Sequence, residues 1–321
     1  MTASREVAYS SAETGVTAVV CVPAFRRPEH LLRTLASVQA QRTSHRFAVV
    51  VVENDAGRTS ISTALNFFES SKLPGACVVE TQQGNCHAIN AAFATAMAQF
   101  PNAEMLLMID DDEIAAPDWL HRMIEAAISS DADVVGGPVF PQFDDVTKRD
   151  LSRHPAFCPA YMSSGPVPII YGSGNCLIRR RVFTTLTQPT FDVRFNFLGG
   201  GDTDFFTRCR RAGLSFYWAA EAVITETVPP VRTQPGWIAA RGLRIGAINY
   251  QIRAKVTRTS LDRIALLARV IATLPLSVWR AGRIALTERK LLIAMHPITV
   301  AVGGVLAAIG IEPQPYKAKS A

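Results

Sequence analysis

Charge is scarce in this chain of 321 residues: 19% of it is Asp, Glu, Lys or Arg, and aromatic residues make up only 8%. Soluble domains usually carry roughly 25% charge. Because 48% of the residues are apolar, the deficit does not mean disorder, and a sizeable core is available. Cysteine is sparse and scattered. Cys21, Cys77, Cys86, Cys158, Cys176 and Cys209 form no C-x-x-C pair, so neither a zinc site nor a disulfide framework is suggested, and reduced thiols in a cytosolic domain are expected. No apolar run occupies Met1 to Gly15, so no signal peptide is expected and 1–15 reads as a flexible polar segment. Zinc-finger, basic-zipper and RNA-stacking patterns are missing, which argues against nucleic acid as a partner. No G-x-G-x-x-G follows the first strand, which disfavours a nicotinamide-linked dehydrogenase. Repeats and low-complexity tracts are absent too.

What is present is regional. The net charge is +6, yet residues 231–290 hold twelve Lys or Arg against only Asp262 and Glu288, so the rest of the chain is acidic overall. Basic residues beside apolar segments suit an anionic membrane surface or a phosphate-bearing ligand. From Val16 onward, short apolar runs alternate with helical patterns, the rhythm of an α/β sheet with crossover helices. Strands are predicted at 16–22, 47–52, 76–79 and 105–109, and helices after Pro28, at 61–71, 87–99 and 118–129. The fold class expected is therefore α/β.

The strand at 105–109 runs straight into Asp110-Asp111-Asp112-Glu113. Four carboxylates at the end of an apolar strand are costly to bury unless something cationic offsets them. In open α/β sheets that end of the strands is where ligands bind. A divalent cation on a diphosphate would supply the compensation, since hard metals take carboxylate and phosphate oxygens. A solvated acidic turn starting a helix is the other reading of these four residues.

In context the cluster is more specific. Val19 to Pro28, with Pro23, Ala24, Phe25 and Arg26 in its loop, resembles the opening strand and loop of the family 2 inverting glycosyltransferases. Met108 to Glu113 resembles their D-x-D motif, and Gly84-Asn85-Cys86-His87-Ala88-Ile89-Asn90 their G-x-x-x-A-x-N helix. Gly172 to Arg180 resembles their acceptor-side strand, and Phe191 to Arg208 the stretch that ends in their "ED" motif. The resemblance runs from about Val16 to Gly246.

It implies a GT-A fold that binds a nucleotide-diphospho-sugar, a uridine-based donor being expected, with Mg²⁺ or Mn²⁺. Asp112 would be the direct metal ligand, Asp110 would lie nearer the ribose and nucleobase, and Asp111 near the sugar and diphosphate. Asp202 would be the base that takes the acceptor hydroxyl proton, as inversion requires; read without the family it is a helix cap. Gly174, Asn175, Gly200 and Gly201 would lie on the acceptor side. Gly201 stands where the family usually has Glu. The nucleobase-binding acidic pair corresponds to Glu53-Asn54-Asp55, with Asn54 or Asp55 in the contacting register. Glu226 takes the place of a metal-binding His, with a plain loop carboxylate as the other reading. Asn85 would bind the nucleotide-sugar, and His87 either faces the diphosphate or is structural. Arg241 and Arg244, three apart on one helix face, either clamp the diphosphate or are ordinary surface charge.

Past Arg258 the composition changes. Residues 264–279 read as an interfacial amphipathic helix. Residues 291–311, free of formal charge apart from His296, just suffice to cross a bilayer of about 30 Å, with a re-entrant or peripheral hairpin as the alternative. Arg280, Arg283, Arg289 and Lys290 precede that segment and would hold it to the cytoplasmic side of the inner membrane. The division expected is thus 1–15, a catalytic domain at 16–258 and a membrane-associated helical tail at 259–321. The activity expected is transfer of a hexose to a lipid-linked oligosaccharide in exopolysaccharide assembly, with inner-membrane lipids as a further partner. A catalytically idle scaffold that anchors partner enzymes is the alternative.

Overall fold

The computed structural model describes residues 5–11, 13–288 and 290–313; the Arg289 of the positive-inside reading lies outside them. Its strands are β1 (Arg5–Ser11), β2 (Ala18–Ala24), β3 (Phe47–Glu53), β4 (Gly75–Glu80), β5 (Met105–Met108), β6 (Glu113–Ala115), β7 (Val134–Gly136), β8 (Val139–Phe143), β9 (Gly165–Pro166), β10 (Cys176–Arg179), β11 (Phe216–Trp218) and β12 (Ile224–Val228). Its helices are α1 (Pro28–Gln39), α2 (Ile61–Ser71), α3 (Asn85–Gln99), α4 (Trp119–Ser130), α5 (Arg180–Thr185), α6 (Gly201–Arg211), α7 (Pro235–Ala254), α8 (Ser260–Glu288) and α9 (Leu291–Ala308).

Nine strands make one mixed sheet in the order β1-β4-β3-β2-β5-β10-β7-β11-β9. Its centre, β4-β3-β2-β5, is parallel. Strands buried on both faces need no polar alternation, which is why β2 and β3 read as near-continuous Val and Ala runs. Alternate side chains of β2 and β3 pack with Leu31, Leu35 and Val38 of α1, Phe67 and Phe68 of α2, and Trp119 and Met123 of α4. The opposite face is covered by α3. Because β3 and β4 lie on one side of β2 and β5 on the other, the chain reverses its progression between β2 and β5. The crevice beyond their carboxyl ends is the place such sheets reserve for ligands.

Residues 5–11 are not a flexible segment. They form β1, antiparallel to β4, which covers the sheet edge that β4 would otherwise expose. Tyr9 stacks on Phe68 with ring centroids 4.7 Å apart. The polar alternation of this strand, one face to solvent, is what made it look like a tail. β10 runs antiparallel to both β5 and β7, so the sheet is mixed as the GT-A resemblance implies.

The chain divides into two compact units. The first comprises residues 1–140, 159–196 and 201–227, and the second 141–158, 197–200 and 228–321. The expected boundary at 258 is therefore displaced: α7 belongs with the tail. The physical reason is glycine. A Cβ on Gly246 of α7 would strike the carbonyl oxygen of Val300 in α9, one on Gly242 would strike Thr299, and one on Gly303 of α9 would strike the carbonyl of Leu243. The two helix backbones approach too closely for side chains at these points. α8 also extends well beyond the amphipathic stretch expected, running 29 residues through Pro275. Both α8 and α9 are long and apolar enough to cross a membrane by length and composition.

Cutting the chain after Arg258 is thus expected to leave the glycine face of α7 uncovered, so that residues 228–258 unfold and the product aggregates. Gly246→Leu in the full chain should lower the melting temperature by roughly 2–10 °C through overpacking. Thermal melts of both check this, and a truncated chain that stays monomeric with α7 protected from hydrogen exchange would contradict it.

Candidate active site

The site begins where β2 ends. Its loop is turned by Arg26, a non-glycine residue held at φ 56°, a conformation that needs support from its surroundings. Support comes from Asp55, which accepts from Arg26 Nε at 3.1 Å and pairs with its Nη2 at 3.1 Å. The Arg26 guanidinium also lies 5.0 Å from the Phe25 ring centroid. The loop after β2 is thereby tied to the loop after β3.

It is tied equally to the acidic segment after β5. The Phe25 amide donates to Asp111 Oδ2 at 3.0 Å, and Arg27 Nη1 donates to Asp111 Oδ1 at 3.2 Å and to Asp112 Oδ2 at 2.5 Å. Thr34, a buried polar residue on the apolar face of α1, has its hydroxyl within hydrogen-bond distance of the carbonyls of Asp111 and Glu113, at 3.0 and 2.7 Å. Glu113 turns inward and accepts from the Asp110 amide at 2.8 Å. Gly174 makes room for it, since a Cβ there would sit 2.5 Å from a Glu113 carboxylate oxygen. β12 aligns Glu226 opposite Glu113.

Asp110, Asp111, Asp112 and Glu226 therefore all act on Arg27, and Asp110, Asp112 and Glu226 act on Glu113, so five carboxyl groups share one site. Burial pushes Asp111 up to about 6, against the pull of Arg27 and the Phe25 amide. Burial raises Asp110 as well, with the charges of Asp112, Asp111 and Glu226 adding to it. It raises Glu113 in the same way, with Asp110 as the main charged contributor. One guanidinium cannot neutralise five carboxylates whose desolvation costs several kcal/mol each. The donor set is all oxygen, hard and short of positive charge, and so fits Mg²⁺ or Mn²⁺.

The sign follows directly. Groups raised in the folded state favour folding below the ordinary carboxylate range, and that contribution is lost as pH climbs through about 6 for Asp111. A bound cation needs the charged forms. Expected, then, is a stabilisation by Mn²⁺, read as the melting temperature with metal minus that in EDTA, which is small near pH 5 and grows towards pH 8. A difference that is flat or shrinks with pH would contradict this origin.

Asp202 stands near Cys176 of β10. α6 starts at Gly201, so Asp202 lies in its first turn and is not the residue before the helix, as the capping alternative had it. The glycines before it, Gly199 and Gly200, have φ of 85° and 86° and set the turn into the helix. Gly201 abuts α3, for a Cβ on it would come 2.5 Å from Cys86 Sγ; a Glu here would not fit. Asn196 accepts from the Cys86 amide at 2.9 Å, and Asn90 exchanges two hydrogen bonds with the backbone of Phe191, at 2.9 and 2.7 Å. The loop before α6 is so fastened to α3. The thiol of Cys176, buried in β10, is pushed up by burial and then by the charges of Asp110, Asp202 and Glu113. Asp202 and the acidic segment thus share one neighbourhood around β10.

Other residues named from the sequence make contacts of their own. Asn54 donates to the carbonyls of Glu80 and Gln82, at 2.9 and 2.8 Å, and accepts from Gly84 at 2.8 Å. It braces the turn into α3, while Asp55 accepts from Arg26 and from the Thr59 hydroxyl. Glu53 accepts from the amides of Asp55 and Ser60, at 3.1 and 2.5 Å, and holds the 54–60 loop. Asn175 accepts from Trp119 Nε1 at 2.8 Å and donates to the carbonyls of Pro138 and Ala222, at 2.9 and 2.8 Å, so its amide is committed to the scaffold and not to an acceptor. Asn85 is exposed and His87 half-buried in the first turn of α3. Pro23 and Ala24 close β2. Gly200, Arg241 and Arg244 belong to the second unit; a Cβ on Gly200 would meet Ile248, and the Arg241 guanidinium lies 5.4 Å from the Trp237 ring centroid. Arg27 and Thr34 received no role from the sequence, although a lone Thr on an apolar helix face was a readable signal.

Residues 19–187, more than half the chain, match the family described as Glycosyl transferase family 2. The chain belongs to that family and is a glycosyltransferase. It is 29% identical over 240 residues to the succinoglycan biosynthesis protein ExoM of Rhizobium meliloti (strain 1021), covering 72% of this chain and 73% of that one. A second relative, the glucosyl-dolichyl phosphate glucuronosyltransferase of Haloferax volcanii, is 27% identical over 45% of this chain and 42% of its own length. Among solved structures, the mannosyltransferase PcManGT of Pyrobaculum calidifontis, in complex with GDP-Man and Mn²⁺, aligns with TM-score 0.59 at 18% identity, over 92% of this chain and 89% of that one. S. aureus TarS 1-349 in complex with UDP aligns with TM-score 0.52 at 13% identity, over 91% and 90%. These two likenesses establish the GT-A fold of this family 2 glycosyltransferase.

Proposed function

We propose that this glycosyltransferase moves a hexose, with inversion, from a uridine-based nucleotide-diphospho-sugar to a lipid-linked oligosaccharide during exopolysaccharide assembly at the cytoplasmic face of the inner membrane. The observation that carries the reading is the convergence, beyond the ends of β2 and β5, of the 25–27 loop, the Asp110–Asp112 segment and Glu226, with Asp202 acting on the same β10 thiol, Cys176, as Asp110. In it, Asp112 and Glu226 hold Mg²⁺ or Mn²⁺ and Asp110 faces the ribose. Phe25, Arg26 and Asp55 receive the nucleobase. Asp111, with both oxygens engaged by Phe25 and Arg27, fixes the geometry of the loop that carries the ligands. When bound, the cation neutralises the departing diphosphate as a Lewis acid. Asp202 takes the proton of the acceptor hydroxyl. ExoM, a relative named for succinoglycan biosynthesis, supports the exopolysaccharide setting, and a relative named for a dolichyl phosphate substrate supports a lipid carrier. The neighbours bound to GDP-Man with Mn²⁺ and to UDP support a nucleotide-sugar and a metal. The apolar exposed residues of α8, among them Leu261, Ile264, Ile271 and Val278, with Arg263, Arg269, Arg280 and Arg283 on the same helix, support attachment to anionic lipid.

The test is a screen of nucleotide-sugars for slow hydrolysis with and without Mn²⁺. One donor turned over in a metal-dependent way is the expected result. No donor bound or hydrolysed would favour the idle scaffold.

A further inference from the structure

A second cluster of ligating side chains lies apart from the carboxylate site. His45, on the connection between α1 and β3, meets His121 and Glu125 of α4, and one ligand atom from each lies within 4.8 Å of the others. His121 and Glu125 are four residues apart, hence neighbours on one helix face. His45 Nε2 and Glu125 Oε1 are 2.9 Å apart, and the two imidazole rings lie at 5.9 Å with 28° between their planes. We propose that these three residues form a binding site for a divalent transition metal of the zinc class, independent of donor binding.

The chemistry of the set carries the choice. Two imidazoles and one carboxylate are the donors of three-ligand zinc sites, which complete their shell with water. Around a tetrahedral ion with bonds of about 2.0–2.1 Å, donor atoms lie roughly 3.4 Å apart, so the cluster closes on an ion by small side-chain rotations. Glu125 keeps half its side chain exposed, which gives the ion a route in. On binding, the proton shared between His45 and Glu125 leaves and the metal takes its place. Imidazole donors discriminate against Mg²⁺, whereas the carboxylate site favours it.

The position gives the site a structural purpose. The connection bearing His45 is already fastened to the start of α4: Gln41 donates to the Ala116 carbonyl and accepts from the Leu120 amide, both at 2.8 Å, and the Arg42 amide donates to the Pro117 carbonyl at 2.7 Å. A metal on His45, His121 and Glu125 clamps this junction from outside, just downstream of the segment that carries Asp110 to Glu113.

The test is calorimetric titration of Zn²⁺ into the full-length protein held in excess Mg²⁺, paired with the cobalt(II) absorption spectrum. Wild type is expected to take up one zinc that Mg²⁺ does not displace, to show imidazole-bound cobalt, and to melt roughly 5–10 °C higher at a hundredfold excess over Kd. The His45→Ala/His121→Ala double variant, matched to wild type by its melting temperature in EDTA, is expected to bind zinc at least 100-fold more weakly; Glu125→Gln should fall between. Equal zinc uptake by the double variant, or displacement of all zinc by Mg²⁺, overturns the proposal. Either result leaves the donor-hydrolysis screen free to succeed or fail on its own.

Discussion

Asp202→Asn should bind donor and acceptor as wild type does, yet transfer sugar at least about 10²-fold more slowly, the usual scale for loss of a general base. The variant is nearly isosteric and the position tolerates it. Asp202 is half-buried in the first turn of α6, where the Thr203 hydroxyl donates to it at 3.4 Å. The structural tie in this helix belongs to Asp204, which meets Arg208 Nε at 2.9 Å, while Arg208 also reaches the carbonyls of Gln188 and Thr190. Folding should therefore survive, as the melting temperature would report. Single-turnover rates at saturating donor separate the two readings. A rate within a few-fold of wild type would leave Asp202 only a place in the helix's first turn.

Asp112→Asn should abolish most of the metal-dependent donor affinity while leaving the fold intact. Altering residues that merely support a metal ligand costs 10–100-fold in metal affinity, and loss of the ligand itself should cost no less. The fold is protected because Asp111 keeps its bonds to Phe25 and Arg27 in the variant, and the amide oxygen that the substitution introduces can still accept from Arg27, as Asp112 does. Calorimetry with a UDP-sugar in Mn²⁺ and in EDTA gives the answer. Wild type should show a large difference between the two conditions and the variant almost none. Equal affinity in wild type and variant would move the metal away from Asp112.

Much of this protein is determined by its sequence alone. Buried strands of Val and Ala, Pro28 at the first position of α1, and the helical pattern at 61–71 follow from local preference and periodicity, which act over a few residues. The acidic segment after β5 was legible for a similar reason: four carboxylates following Ile109 mark a strand end whose burial is costly without a compensating positive charge. Tertiary structure decided what depends on partners distant in the chain. What Asn54 does rests on the Glu80 and Gln82 carbonyls that consume its amide, and what Asp55 does on Arg26 and Thr59, which reach its two oxygens. Likewise Asn175 became scaffold when Trp119 reached it across 56 residues. β1 looked like a tail because its pairing with β4 lies about seventy residues away. The place of α7 was hidden because glycine contributes no hydrophobic pattern; Gly242, Gly246 and Gly303 acquire meaning only when two backbones are brought against one another. Hydrogen-bond satisfaction and close backbone approach are properties of pairs, and a single sequence names only one member of each pair at a time.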